Sequence, residues 1–252
     1  RASAQLDEVL QKWRERELGE VRYLYLDARY EKVRENGMVL DLAVLIATGI
    51  RLTGEREVLG VSTSLSEHEQ HWKAFLTSLK KRGLKGVKLI ISDDHTGLSA
   101  ARREVFGGIP WQRCQFHLQQ NAGAYVPKKA MKKEVAADIR AIFNASDREK
   151  AEEYLQWAIE KYAQSAPKLS QWMEENLAEG LTVLNFPLEH RRMIRTTNAL
   201  ERINREIRRR TRVASIFPNE ASCLRLVTAL LMEISEEWLA GKRYCIDDNI
   251  EN

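Results

Sequence analysis

Three carboxylates stand where they could support chemistry on a phosphodiester bond. Asp27 follows the run VRYLYL, Asp93 follows the run VKLIIS, and Glu201 lies in the arginine-rich segment RTTNALERINREIRRR. If the three converge at one edge of a sheet, their mutual repulsion favours a cation between them. Such oxygen ligands suit Mg²⁺ or Mn²⁺, and two ions about 3.5–4 Å apart can clamp the attacking and leaving oxygens of a phosphodiester. Carboxylates in this order are therefore compatible with a two-metal site.

Each carboxylate also has a simpler explanation. Asp27 interrupts a strand pattern and could be a polar residue at a strand end or on a solvated face. Asp93 could be an N-cap of the following helix, since Asp is a favoured cap. Asn198 and Glu201 stand three apart at a helix start and resemble a capping box. From these residues alone, structural and catalytic roles both remain open.

The arginine-rich segment predicts a helix with two distinct faces. At ~100° per residue, its polar face carries Asn198, Glu201, Arg205, Arg208 and Arg212. The opposite face is an apolar stripe of Leu200, Ile203 and Ile207. The stripe can pack on a sheet, which would leave Glu201 near the rim among arginines.

The charge of this segment points to nucleic acid. Nine arginines against two glutamates from Arg191 to Arg212 give a local charge of +7, whereas the whole chain carries +4. The candidate contacts to the DNA backbone are Arg202, Arg205, Arg208 and Arg209, together with Asn198. Binding through phosphate contacts of this kind weakens as salt concentration rises.

The elements that must position these residues form an α/β pattern. VRYLYLDARY, MVLDLAVLIATGI and REVLGVSTS, joined by the turns RENG and RLTG, predict three antiparallel strands. A helix over SEHEQHWKAFLTSLKKRG leads into the buried strand VKLIIS, a second helix covers HTGLSAARREVFG, and WQRCQF is a possible fifth strand. This order predicts a mixed sheet covered by helices on both faces.

Composition excludes several classes of protein. The 252 residues are 44% hydrophobic, enough for a core, but no apolar run approaches the roughly 18–20 residues of a membrane span. The N-terminal residues lack the apolar centre of a signal peptide, so we expect no membrane partner and a cytoplasmic location. The chain starts abruptly without methionine, which suggests a piece of a longer protein. The three cysteines are widely spaced and odd in number, which favours free thiols over a disulfide framework.

Several long motifs, in this order, resemble the Mutator-like transposases of bacterial insertion sequences. They are YLYLDARYEKVRE, EREVLG, GVKLIISDDHTGL, WQRCQFH, FPLEHRRMIRTTNALERINREIRRRTR and IFPNEASCLRLV. The resemblance implies a ribonuclease-H-like fold and a DDE triad at Asp27, Asp93 and Glu201, holding two Mg²⁺ or Mn²⁺ ions. Asp94 stands where the family often has a small residue; Asp93 is preferred because it ends the strand.

The resemblance also implies a function. A transposase of this kind hydrolyses the phosphodiester at a transposon end and joins the 3′-hydroxyl to target DNA. The implied partners are double-stranded transposon ends and target, bound by a homodimer at the nucleoid. The alternatives are a metal-dependent structure-specific nuclease or resolvase of the same fold, and an inactive DNA-binding module.

The predicted domains follow from the change of texture along the chain. Residues 1–20 are predicted to be a helical linker, 21–117 the first part of the core, and 191–252 its final helices. Residues 118–190 are helical throughout and correspond to the insertion domain that the resemblance implies. Within it, Trp172 and Trp157 could stack on an unpaired base, but Trp157, with Tyr154 and Ile159, fits core better.

Three further residues are candidate supporting groups. Cys114 and His117, in CQFH, match a short Cys-x-x-His signature of the family, although two ligands alone do not make a zinc site. The resemblance implies that they support the active site or contact DNA near the scissile phosphate. His95, next to the acidic pair, is placed similarly.

Overall fold

A computed structural model describes residues 2–65, 68–213 and 215–246. In chain order the strands are β1 Val21–Glu35, β2 Met38–Arg51, β3 Arg56–Ser64, β4 Leu89–Ser92 and β5 Trp111–Arg113. The helices are α1 Ala2–Glu15, α2 Glu69–Lys81, α3 Thr96–Val105, α4 Gln115–Ala122, α5 Lys132–Phe143, α6 Arg148–Tyr162, α7 Pro167–Asn176, α8 Leu188–Ile194, α9 Asn198–Thr211 and α10 Glu220–Leu239. In these ranges no helix is long and apolar enough to cross a bilayer.

The five strands form one sheet in the order β3-β2-β1-β4-β5. β1, β2 and β3 are antiparallel neighbours, while Glu20 and Lys85 form a parallel bridge just before β1 and β4. The β1–β2 hairpin turns at Asn36 and Gly37, both with positive φ, as the tight turns that match the twist of two strands require. The predicted mixed sheet, with three antiparallel strands and helices on its flanks, is confirmed.

The chain divides into two compact units. The first comprises Arg1–Ile90, Asp94–Ile109 and Asn198–Asn252, and the second comprises Ile91–Asp93 and Pro110–Thr197. The first contains β1–β3 with α1, α2, α3, α9 and α10; the second contains β5 and α4–α8, so the stretch between β5 and α9 is helical. The domain boundaries drawn from the sequence stay a prediction.

The core of the first unit follows the expected patterns. β1 is buried from Val21 to Leu26, and α2 buries the apolar side chains of its predicted helical stripe: Trp72, Phe75, Leu76 and Leu79. The α9 stripe is also confirmed, because Leu200, Ile203 and Ile207 are each at most 1% exposed. Burial of this stripe leaves the polar face of α9 for other contacts.

The interpretation of Asp27 as a strand-end residue is wrong. It is the seventh of fifteen residues in β1, and its backbone is in register with Ile46 of β2. What changes at Asp27 is burial, since the six preceding residues are buried and the next three are half-buried or exposed. Asp27 is therefore the first residue of β1 that is not fully buried, although the strand continues beyond it.

Two other expectations need correction. The fifth strand is shorter than WQRCQF, because Cys114 is the N-cap of α4 and the next residues are helical. Trp157 and Tyr154 are not core: they are 54% and 39% exposed, since α6 buries its opposite face. Trp172, in contrast, is buried and stacks on Tyr125.

Candidate active site

The Asp27 carboxylate is oriented by two donors. Its Oδ1 accepts a hydrogen bond from the Ala28 backbone N–H at 2.9 Å. Its Oδ2 accepts one from the Asn204 side-chain amide at 2.7 Å. Because β1 and α9 supply the two groups, this contact joins residues 177 positions apart in the sequence. The strand carboxylate therefore lies directly against the arginine-rich helix.

Glu201 lies one turn before Asn204 on the same helix and lines a cavity with it. The cavity has a volume of about 510 Å³, and its other lining residues are Arg29, Tyr30, Arg205 and Arg208. Glu201 is half-buried. Asp27 is thus hydrogen-bonded to Asn204, and Glu201 lines the same cavity as Asn204.

Alternate residues of β1 contact α9. Arg29 donates from Nη1 to the backbone carbonyl of Asn204 and forms an ion pair with Glu31. Glu31 in turn accepts a hydrogen bond from Thr211 Oγ1 at 3.3 Å. Positions i, i+2 and i+4 of a strand share one face, so Asp27, Arg29 and Glu31 all point to the helix. Burial lowers the pKa of Arg29, while Glu31 opposes that shift.

Asp93 belongs to the second unit and follows β4 directly, as predicted. Its Oδ2 lies 3.7 Å from His117 Nδ1. Its Oδ1 is buried and has no hydrogen-bond partner among the described residues. The N-cap of α3 is His95, so the alternative of Asp93 as that cap is wrong. Asp94 is exposed and accepts a hydrogen bond from Ser99 of α3.

Cys114 and His117 lie beside Asp93. The buried Cys114 Sγ accepts from the backbone N–H and the hydroxyl of Thr197, both at 3.4 Å. Burial alone would raise the pKa of the Cys114 thiol, but hydrogen bonds with His117 and Thr197 outweigh it and lower the pKa. A thiol, an imidazole and a carboxylate therefore form one contiguous group, and the helix start that carries Cys114 positions it.

His95 has a different environment from the one its sequence position suggests. It lines a cavity of about 490 Å³ in the first unit, with Tyr30 and Arg103 among its neighbours. Tyr30 also lines the cavity of Glu201. His95 therefore faces a region adjacent to that of Glu201.

The candidate DNA contacts fall into two groups. Arg205 and Arg208 are exposed and line the cavity with Glu201. Arg202 and Arg209 line a separate cavity beside α10, and Arg209 pairs with Glu206 at 2.9 Å. Asn198 is exposed at the first position of α9. The first group shares its cavity with a predicted metal ligand.

The chemistry of the three carboxylates fits a divalent cation. All three offer hard oxygen atoms, and the buried Asp93 Oδ1 has no hydrogen-bond partner in the described ranges, as expected of a ligand atom. However, across the described ranges no three His, Cys, Asp or Glu side chains form a ready-made metal site. Asp27 and Glu201 lie in one compact unit and Asp93 in the other.

Two residues with clear contacts were not assigned a role from the sequence. Asn204 bonds to Asp27, and Arg29 holds the backbone of Asn204. The alternation of β1 places Arg29 on the same face as Asp27, which was a usable signal. For Asn204 the only signal was its position three residues after Glu201.

Comparisons with known proteins agree on one family. Residues 1–241 match the family model described as Transposase, Mutator family. The transposase for insertion sequence element IS406 from Burkholderia multivorans is 61% identical over 244 residues, covering 97% of this chain and 63% of that protein. The transposase for insertion sequence element ISRM5 from Rhizobium meliloti is 45% identical over 246 residues, covering 97% and 62%. The chain thus spans less than two thirds of the length of these relatives.

Similarity to solved structures is slight. The catalytic core domain of the HTLV-2 integrase, solved in complex with magnesium, matches 71% of this chain and 99% of its own at 16% identity. The TM-score of 0.26 is too low to support an inference about this chain.

Proposed function

Because the chain belongs to the Mutator family of transposases, we propose that it is the catalytic domain of a DDE transposase. In this proposal it hydrolyses the phosphodiester at a transposon end and joins the new 3′-hydroxyl to target DNA. The observation that carries the proposal is the meeting of Asp27 with the Glu201 face of α9, beside Arg205 and Arg208. Two carboxylates near the exposed guanidinium groups of Arg205 and Arg208 suit a phosphate that must be both held and cut.

The three acids would hold two Mg²⁺ or Mn²⁺ ions. Asp27 and Glu201 would bind through their carboxylate oxygens, and Asp93 would bind through its buried Oδ1. When bound, such ions neutralise charge on the scissile phosphate and activate the attacking oxygen. His117, 3.7 Å from Asp93, would orient that carboxylate, and Cys114 would orient His117.

The two chemical steps balance without any further reactant. In hydrolysis a water oxygen attacks phosphorus, the bond to the 3′-oxygen breaks, and a 3′-hydroxyl is released. In joining, that hydroxyl attacks a target phosphate and displaces another 3′-oxygen, so one phosphodiester replaces another. Arg205 and Arg208 would hold the backbone phosphates near Glu201, while Arg202, Arg209 and Asn198 would contact DNA further along α9.

The partners follow from the proposed reaction. Double-stranded transposon ends and target DNA are the substrates, which would place the protein at the nucleoid in the cytoplasm. Two ends must be brought together, so we propose a homodimer on DNA. Residues 118–190 would form the inserted helical domain, and residues 21–117 and 191–252 the core.

A strand-transfer assay tests the proposal. The substrate is a duplex with the end of the element that encodes the chain, already cut to expose its 3′-hydroxyl, together with a supercoiled plasmid. We expect joined products with Mg²⁺ or Mn²⁺ and none with EDTA. Cutting of uncut ends without joining would instead identify a nuclease or resolvase. DNA binding without cutting or joining would identify an inactive module.

A further inference from the structure

We propose that Asn204 is a positioning residue of the candidate active site, which holds the Asp27 carboxylate in its metal-binding orientation. The inference rests on the proposed function, since it concerns how one of the proposed ligands is kept in place. It concerns a residue that would not itself touch the reacting atoms.

The direction of the contact follows from the chemistry of its two groups. An ionised carboxylate can only accept hydrogen bonds, so the Asn204 –NH₂ group must face Asp27. The separation of 2.7 Å from Nδ2 to Oδ2 is that of a charge-assisted hydrogen bond. With Oδ1 bonded to the Ala28 N–H, donors at both oxygens restrict rotation of the carboxylate.

Asn204 is itself held from the strand side. Arg29 donates to its backbone carbonyl and is itself held by an ion pair with Glu31. The strand thus fixes the turn of α9 from which Asn204 extends. A rigid partner is what orienting a metal ligand requires, because such outer contacts fix the ligand geometry.

The side-chain oxygen of Asn204 gives a second observation. Its Oδ1 is buried and has no hydrogen-bond partner among the described residues. A buried acceptor without a partner costs free energy unless a donor arrives with a ligand. Asn204 lines the cavity of Glu201, Arg205 and Arg208, so a donor group of DNA bound in that cavity, away from the scissile phosphate, would satisfy this oxygen.

The test is calorimetric titration of Mn²⁺ into wild type, Asn204→Leu and Thr211→Val, each with and without a DNA duplex. Leucine has nearly the shape of asparagine but no donor. Thr211→Val is the matched control, since it removes another hydrogen bond from α9 to β1 that does not involve Asp27. We expect Asn204→Leu to weaken Mn²⁺ binding by about 10- to 100-fold and Thr211→Val to leave it unchanged.

A merely structural role would give a different pattern. Both variants would lower the melting temperature, and neither would change Mn²⁺ affinity; that result overturns the inference and leaves the proposed function intact. If wild type binds no Mn²⁺ even with DNA, the proposed function fails and the inference fails with it.

A second measurement decides the matter if Asn204→Leu does not fold. The side-chain amide signals of Asn204 in an NMR spectrum of wild type should shift when Mg²⁺ is added with DNA, and should shift in Asp27→Asn. If they respond to neither, Asn204 does not act through Asp27.

Discussion

Replacing Glu201 with glutamine should lower the rates of DNA cleavage and joining by at least about a thousandfold. The change keeps the size of the side chain but removes the charge of a proposed metal ligand. Loss of metal-based stabilisation is worth several kcal/mol, and each 1.36 kcal/mol is a factor of ten in rate. The fold should survive, because α9 packs through the other face, at Leu200, Ile203 and Ile207.

The control for this variant is Glu206→Gln on the same helix. Glu206 pairs with Arg209 and lies outside the cavity of Glu201, so its replacement should leave both rates nearly unchanged. DNA affinity and its salt dependence should match wild type in Glu201→Gln, since the phosphate-binding arginines remain. If Glu201→Gln instead unfolds the protein while activity per folded molecule is unchanged, Glu201 is a capping residue.

Replacing Ile207 with alanine should lower the free energy of unfolding by about 2–5 kcal/mol. Ile207 is fully buried on the apolar face of α9, so the change removes buried apolar contacts and leaves a cavity. Urea denaturation followed by circular dichroism measures the effect. Arg210→Ala on the exposed face of the same helix is the control and should stay within about 0.5 kcal/mol of wild type.

Equal effects of the two substitutions would contradict the assignment of the stripe as core. In that case the helix would not be held on the first unit by Leu200, Ile203 and Ile207. The orientation of Glu201 relative to β1 would then need another explanation.

Element types were predictable because their signals are local. Alternating or continuous apolar runs predicted the antiparallel strands, and helical spacing predicted the buried faces of α2 and α9. The adjacency of β1, β2 and β3 also followed, since strands joined by tight turns must be neighbours, but the position of β4 next to β1 was not predicted. Local pattern was therefore enough for the antiparallel part of the sheet.

The errors arose where local pattern and burial differ. A charged residue at Asp27 looked like the end of a strand, although the backbone pairs on through it and only the side-chain cover changes. Trp157 was assigned to the core by its type, but the buried face of α6 is formed by Ala151, Leu155 and Ala158. Residue type alone does not show which face of an element is covered.

The contacts of the candidate site were the least predictable part. The Asn204 bond to Asp27 joins two distant segments, and no spacing rule relates them. The same holds for the bonds from Thr197 to Cys114, which are 83 residues apart. The family resemblance suggested which residues matter, while the structure shows how neighbours orient several of them.

The central claim, that three acids bind divalent cations, is tested most directly by calorimetric titration of Mn²⁺ into the chain with bound DNA. Wild type should bind, and Asp27→Asn, Asp93→Asn and Glu201→Gln should each weaken binding strongly while the circular dichroism spectrum is unchanged. Absence of binding by wild type, or binding that none of the three changes affects, would contradict the claim.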